Sequence, residues 1–281
     1  MTLFLENSFP LNNYISISKK IKQIPMYFLY FLPIDTFTNL DNEYKVLPMT
    51  NSNLVQREIK YKLVYFDKNK NKNKNKEIDL YSNNIWESLP STFAKSIYHI
   101  FYSCSILHKH GISFTLSSQP FVSHGGNLPQ LTDFSHSFYF PVIQTHNLKL
   151  YFSLALLQNP YISFDVFIIT YLIHHPIECL CKEDTDHISE LFTKSREKIE
   201  INTCNHHLAY FHKYNSTQVI KYLFQFKYSW TYYSLCYFFI VHYPDLLKHF
   251  SLYTLFHTYI HSSFKERHND LLSDIHTAVF A

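Results

Sequence analysis

Residues Leu107–Ser135 read LHKHGISFTLSSQPFVSHGGNLPQLTDFS, and the division of the chain follows from this stretch. Upstream of it, Trp86, Leu89, Phe93, Ile97, Ile100, Phe101, Cys104 and Leu107 recur at steps of mostly three and four residues. That spacing predicts one long amphipathic helix over 87–108. Gly111 can stop it, since glycine accepts the left-handed backbone of a helix C-terminus. A short polar loop follows. A hairpin is expected over 121–133, whose second strand, Pro129-Gln130-Leu131-Thr132, closes on Asp133-Phe134-Ser135.

All three glycines of the chain, Gly111, Gly125 and Gly126, lie inside this window. A phosphate-cradling loop needs several glycines so that backbone N–H groups can approach the phosphates. No G-x-G-x-x-G and no Walker A sequence occurs anywhere.

Composition sets the outer bounds. With 281 residues, 46% hydrophobic and 18% aromatic, the chain can bury a substantial core and is too apolar for a disordered protein. A formal charge of +3 makes nucleic acid an unlikely partner. The opening MTLFLENSFPLNNY has no cationic start and no long apolar core, so no signal peptide is expected. The longest apolar runs, Phe164–Ile173 and Leu235–Tyr243, are too short to span a bilayer, so no membrane partner is expected. Five irregularly spaced cysteines suit reduced thiols and an intracellular location.

Two regions are expected. Residues 1–83 read as a small mixed unit. In it, Tyr14–Ile24 is a short helix, Tyr27–Pro33 and Tyr61–Phe66 are strands, and the KNKNKNKNK tract at 68–76 is a solvated low-complexity loop. Residues 84–281 read as mainly helical. Phe164–Leu172 is apolar all round, as a central buried helix should be. The charged segment 182–200 is a surface helix with loop, and Gln218–Phe226, Tyr232–His242, Leu246–His261 and Asn269–Phe280 supply further helices. Phe93, Ile97, Ile100 and Leu107 are expected to pack on Phe167, Ile168 and Tyr171 or their neighbours.

The order of small mixed region, long helix, hairpin and many helices resembles the protein-kinase fold. Set against the H-R-D-L-x-x-x-N catalytic loop and the D-F-G metal loop, Ser113-Phe114-Thr115-Leu116 fills H-R-D-L. Pro120 then fills the Asn and Asp133 the metal-binding Asp. The chain looks closest to the divergent kinase-like proteins of giant DNA viruses, with Lys-Lys-Ile-Lys-Gln-Ile-Pro (19–25) and Ser229–Leu235 adding to that likeness. The fold class this implies is α+β, with a reduced N-terminal lobe and a mainly α-helical C-terminal lobe. Between Ser88 and Ile177 the chain has only two carboxylates, Asp133 and Asp165. In the resemblance, Asp165 is the buried Asp that braces the catalytic loop by accepting N–H groups near 113–115. Arg267 resembles the late arginine whose usual Glu partner is missing here. The plain readings are a turn residue for Asp133, a helix N-terminal carboxylate for Asp165 and a surface charge for Arg267.

Read this way, the loop has lost its chemistry. Phosphoryl transfer needs held phosphates, metal ions and a group that takes or orients the hydroxyl proton. Thr115 at the base position is no base near neutral pH. Ser117 stands where the loop lysine would be, and Pro120 offers no side-chain oxygen to a metal. Asp133 alone would hold Mg-ATP weakly. The resemblance implies a pseudokinase, a scaffold binding a protein partner that is itself a kinase or a kinase substrate, without a cofactor.

Two other classes stand beside it. One is an atypical Ser/Thr kinase that uses Asp133 for Mg-ATP. The other is a zinc protein ligated through Cys179, Cys181, Cys204 and His206, with His207 adjacent, though C-x-C with C-x-H departs from the usual ligand spacing. The plain reading of these cysteines is a core thiol beside a His-rich loop. A Ser/Cys–His hydrolase lacks its nucleophile turn.

Overall fold

The computed structural model describes residues 9–31, 90–116, 121–122, 129–131, 134, 136–194, 196–268 and 270–280. The strand expected at Tyr61–Phe66, the 68–76 tract, and Ser117, Pro120 and Asp133 lie outside them. Within them the protein is α+β and mostly helical, with two small two-stranded sheets.

Helix α1 (Phe9–Ile21) begins earlier than the sequence pattern suggests and buries Ile17 and Ile21. The strand expected from Tyr27 is not formed. Tyr27–Leu29 is a 3-10 turn entered through Met26 at φ 56°, which closes the backbone on itself before a strand can start. Phe31 then makes one parallel bridge to Leu131, and Tyr30 O accepts the Leu131 N–H at 2.9 Å.

Helix α2 (Pro90–Lys109) is the long helix the heptad-like spacing predicts. Proline suits its first position, where the backbone N–H is unused, and His108 and Lys109 sit at the negative end of its dipole. Phe93, Ile97, Ile100, Phe101, Cys104 and Leu107 are all fully buried. Their aromatic partners are not those expected. Phe93 meets Phe239 and Tyr243, and Phe101 stacks with Tyr232 and Phe256.

The chain leaves α2 through Gly111 at φ 76° and enters β1 (Ile112–Ser113). The hairpin pairs β2 (Phe121–Val122) with β3 (Gln130–Leu131) in antiparallel register, Phe121 opposite Leu131. Strand β1 pairs with β4 (Phe138–Tyr139), Ile112 opposite Tyr139. The short α3 (Leu148–Tyr151) leads to α4 (Phe164–His174), capped by Ser163 Oγ, which accepts the Val166 N–H. All residues of α4 through Ile173 except Tyr171 are buried, as its unbroken apolar sequence requires.

Helix α5 (Lys182–Thr193) buries Thr185, Ile188, Ser189 and Phe192 and exposes its charges. Helix α6 (Ile201–Ala209) has no counterpart among the sequence expectations, because INTCNHHLA has no long apolar period. The expected His-rich loop is therefore a helix. Then come α7 (Ser216–Leu223) and α8 (Ser229–His242), most of whose residues up to Ile240 are buried. The single helix expected over Leu246–His261 is two, α9 (Pro244–Lys248) and α10 (Leu252–His261). Ser251 between them is left-handed at φ 56° and breaks the ladder. Helix α11 (Leu271–Phe280) returns to pack on α2.

One continuous hydrophobic core joins α1 to α11. Ile17, Ile21, Ile24 and Phe31 belong to it, so the described part of the N-terminal region shares the core of the helical region. No helix among the described residues is long and apolar enough to cross a membrane.

Candidate functional site

Of the residues singled out from sequence, Thr115, Asp165 and Arg267 are buried, in two separate sets of polar contacts near β1 and α4. Phe114, Thr115 and Leu116, which continue from β1, are buried. Phe114 packs edge-on against Phe134, and Phe134 against Phe31, which ties the loop to the hairpin side.

Asp165 does not brace this loop. Ser113 Oγ pairs with Thr231 Oγ1 of α8 at 2.9 Å, and the Thr115 N–H is directed at Ser137 Oγ at 3.4 Å. Leu116 O accepts from Asn159 Nδ2 at 2.8 Å. Three neutral side chains therefore hold the loop, and of them only Ser137 accepts a backbone N–H, the role the sequence resemblance assigned to the carboxylate. Sequence reasoning missed Ser137, Asn159 and Thr231, which are common residues with no distinguishing spacing.

The Asp165 carboxylate faces the other way. Its Oδ2 accepts from Arg267 Nη1 at 2.8 Å, with both side chains essentially excluded from solvent. Arg267 is thus neither a surface charge nor partnerless. Its guanidinium also lies 5.0 Å over the Tyr233 ring and 5.1 Å over Phe264, while its carbonyl accepts the Tyr259 hydroxyl at 2.7 Å. Complete burial pushes the Asp165 carboxyl above the ordinary range, while the Arg267 charge pulls it back down. Asp165 Oδ1 and Trp230 Nε1 are both buried without a hydrogen-bond partner, yet the indole N–H lies close enough to favour the charged carboxylate.

A second buried guanidinium supports the floor. Arg196 donates from Nη1 to Phe192 O at 2.7 Å and from Nη2 to Asn159 O at 2.8 Å, and stacks 4.0 Å over Phe192. It thereby reaches the loop indirectly, because Asn159 also holds Leu116 O. The chain has only three arginines, Arg57, Arg196 and Arg267, among twenty-five basic residues counted as lysine plus arginine. That scarcity was a usable signal, since arginine is preferred over lysine where a cation must be buried.

The proposed zinc ligands are not brought together. Cys204 and His207 share the inward face of α6, whereas His206 points away as the intervening position demands. Cys179 and Cys181 are exposed, and Cys181 Sγ donates to Asp184 Oδ2 at 2.9 Å at the start of α5. Among the described residues no group of three or more His, Cys, Asp or Glu side chains is placed to hold a metal ion.

Neither Cys204 nor Cys181 is a ready nucleophile. Burial pushes the Cys204 thiol up to about 12, and the hydrogen bond to Asp184 raises Cys181. Burial and the nearby Arg267 charge hold His207 down to about 4, and burial holds His108 to about 3. Both imidazoles are neutral at pH 7, and His108 Nε2 is buried with no hydrogen-bond partner.

Comparison with protein-family models, with curated proteins and with solved structures finds no match to this chain.

Proposed function

We propose that the protein is a catalytically degenerate protein-kinase-like module, a pseudokinase that acts by binding a protein partner, itself a kinase or a kinase substrate. The observation that carries this reading is the burial of the loop at the catalytic-loop position. Thr115, the residue in the place of the base, is buried, and the loop's polar groups are spent on Ser137, Asn159 and Thr231. A phosphotransferase needs that loop open to substrate and a carboxylate at the base position. The order of long helix, hairpin and buried central helix supports the kinase-like assignment. The five free cysteines, two of them exposed, suit a reducing intracellular compartment.

A thermal-shift titration with Mg-ATP, run beside a phosphotransfer assay on generic Ser/Thr substrates, tests this reading. The expected result is no phosphotransfer and little shift. A ligand stabilises by RT ln(1 + [L]/Kd), so ~1 mM ATP against a Kd above ~10 mM contributes less than ~0.1 kcal/mol. Phosphotransfer that Asp133→Asn abolishes would overturn it in favour of an atypical kinase.

A further inference from the structure

The chain has eighteen histidines, and a single pair of them stands four residues apart, His257 and His261. Both belong to α10, where a step of four places two side chains on one face of the helix. Leu252, Phe256, Tyr259 and Ile260 of the same helix are buried, whereas His257 is exposed and His261 half-buried. Solvent and solutes therefore reach the histidine face.

The two imidazoles lie one over the other, with ring centroids 4.2 Å apart and planes 25° from parallel. Tyr253, one turn earlier, continues the stack at 6.0 Å from His257. His261 Nδ1 lies 2.8 Å from His257 O. A carbonyl oxygen only accepts, so Nδ1 carries the proton and Nε2 of the neutral ring keeps its lone pair. A backbone carbonyl on one ring nitrogen is the arrangement that orients a histidine to ligate through the other. Partial burial, and then the facing His261, hold His257 below its ordinary value, while the Glu200 carboxylate pulls it the other way. His257 is thus a neutral imidazole at pH 7, the form that binds metal ions. Glu200 immediately precedes α6, so a negative charge from a second element bears on the pair.

We propose that His257 and His261 form a two-imidazole site for a divalent transition-metal ion of borderline softness, with zinc as its type and water in the remaining positions. Imidazole suits zinc, nickel and copper, whereas magnesium and calcium take oxygen ligands. The site shares no residue with the cysteine-based zinc centre set aside above. It also differs in kind, because two protein ligands leave open positions that a closed structural zinc site does not have. The helix already supplies the spacing, so rotation of the two rings out of their stack is enough to direct both lone pairs at one ion. The inference stands independently of the pseudokinase reading.

The test is a titration of the full chain with Zn²⁺ near neutral pH, in competition with a chromophoric chelator. The parent should bind zinc saturably. His257→Asn and His261→Asn should each weaken binding by roughly tenfold or more, since each removes one of two ligands. Cys179→Ser/Cys181→Ser, which removes the exposed thiols, should leave binding unchanged. On the unmutated chain, zinc should slow modification of His257 and His261 by diethyl pyrocarbonate, read by mass spectrometry, and leave the exposed His276 of α11 unaffected. No saturable binding by the parent, full affinity in either histidine variant, or equal modification of both histidines with and without zinc would each overturn the proposal. Loss of binding in the cysteine variant would overturn it in favour of a thiol site.

Discussion

Arg267 Nη1 lies 2.8 Å from Asp165 Oδ2, and this ion pair is sealed inside the core by Tyr233, Phe264 and Tyr259. The partners are 102 residues apart. Their contact fixes the turn after α10 against the first turn of α4. Neither charge could be buried alone, because desolvating an isolated ion costs far more than one packing contact returns.

Breaking the pair is predicted to be costly and removing it much less so. Asp165→Ala should lower stability by about 3–5 kcal/mol, because it leaves the Arg267 charge buried without a counter-ion. Asp165→Leu combined with Arg267→Met should recover most of that loss. Urea denaturation of the parent, single and double variants checks this. A double variant no more stable than Asp165→Ala would show that the carboxylate has another essential partner.

The Ser113–Thr231 contact predicts a second cycle. Ser113→Ala leaves the Thr231 hydroxyl buried with one partner fewer, at about 1–3 kcal/mol. Adding Thr231→Val should bring the cost below that of the single change, since both polar groups are then gone. Additive losses in denaturant melts would mean that the 2.9 Å contact contributes nothing as a pair.

Stability should fall on mild acidification. His207 and His108 titrate near 4 and near 3 in the folded protein, below their ordinary 6.5. Between those values and about 6.5 the unfolded chain binds the protons first, so stability rises with pH there and is complete above 6.5. Each should contribute a slope of roughly 1 kcal/mol per pH unit. Asp165, raised by burial, works in the opposite sense and offsets part of it. Equilibrium unfolding at pH 7, 6 and 5 measures the net slope. His108→Phe should flatten it, because Tyr228 and Tyr232 already surround that ring.

Gly111 should resist substitution. Its φ of 76° is strained for any L side chain, and an added Cβ would lie 3.1 Å from Pro141 Cδ. Gly111→Ala is expected to cost about 1–2 kcal/mol. Calorimetric melting of that variant beside Ala94→Gly separates the backbone effect from a general loss of helix propensity. A melting temperature equal to the parent's would contradict it.

Elements with a strong single period were readable before any coordinates. Six of the apolar positions, Phe93 to Leu107, lie in α2, and the unbroken run from Phe164 forms α4. Breaks that depend on one backbone angle were not readable. Nothing in the composition around Ser251 announces its left-handed conformation, and the turn at Met26 erased a strand that Tyr27–Pro33 favours by propensity. Helix α6 was hidden because its helical character comes from Cys204, His207 and Leu208 packing inward.

The candidate site divides in the same way. Sequence alone determined that no G-x-G-x-x-G or Walker A motif occurs, that position 115 is a threonine, and that Asp165 is an isolated carboxylate in an apolar helix. These are statements of residue identity, which folding cannot alter. The tertiary structure decided that Asp165 takes Arg267 and leaves the loop to Ser137, Asn159 and Thr231, and that Cys181 and Cys204 part company. Such pairings depend on distances between residues far apart in the chain. The burial of charge and the packing of α8 against its neighbours set those distances, and no local sequence pattern encodes them.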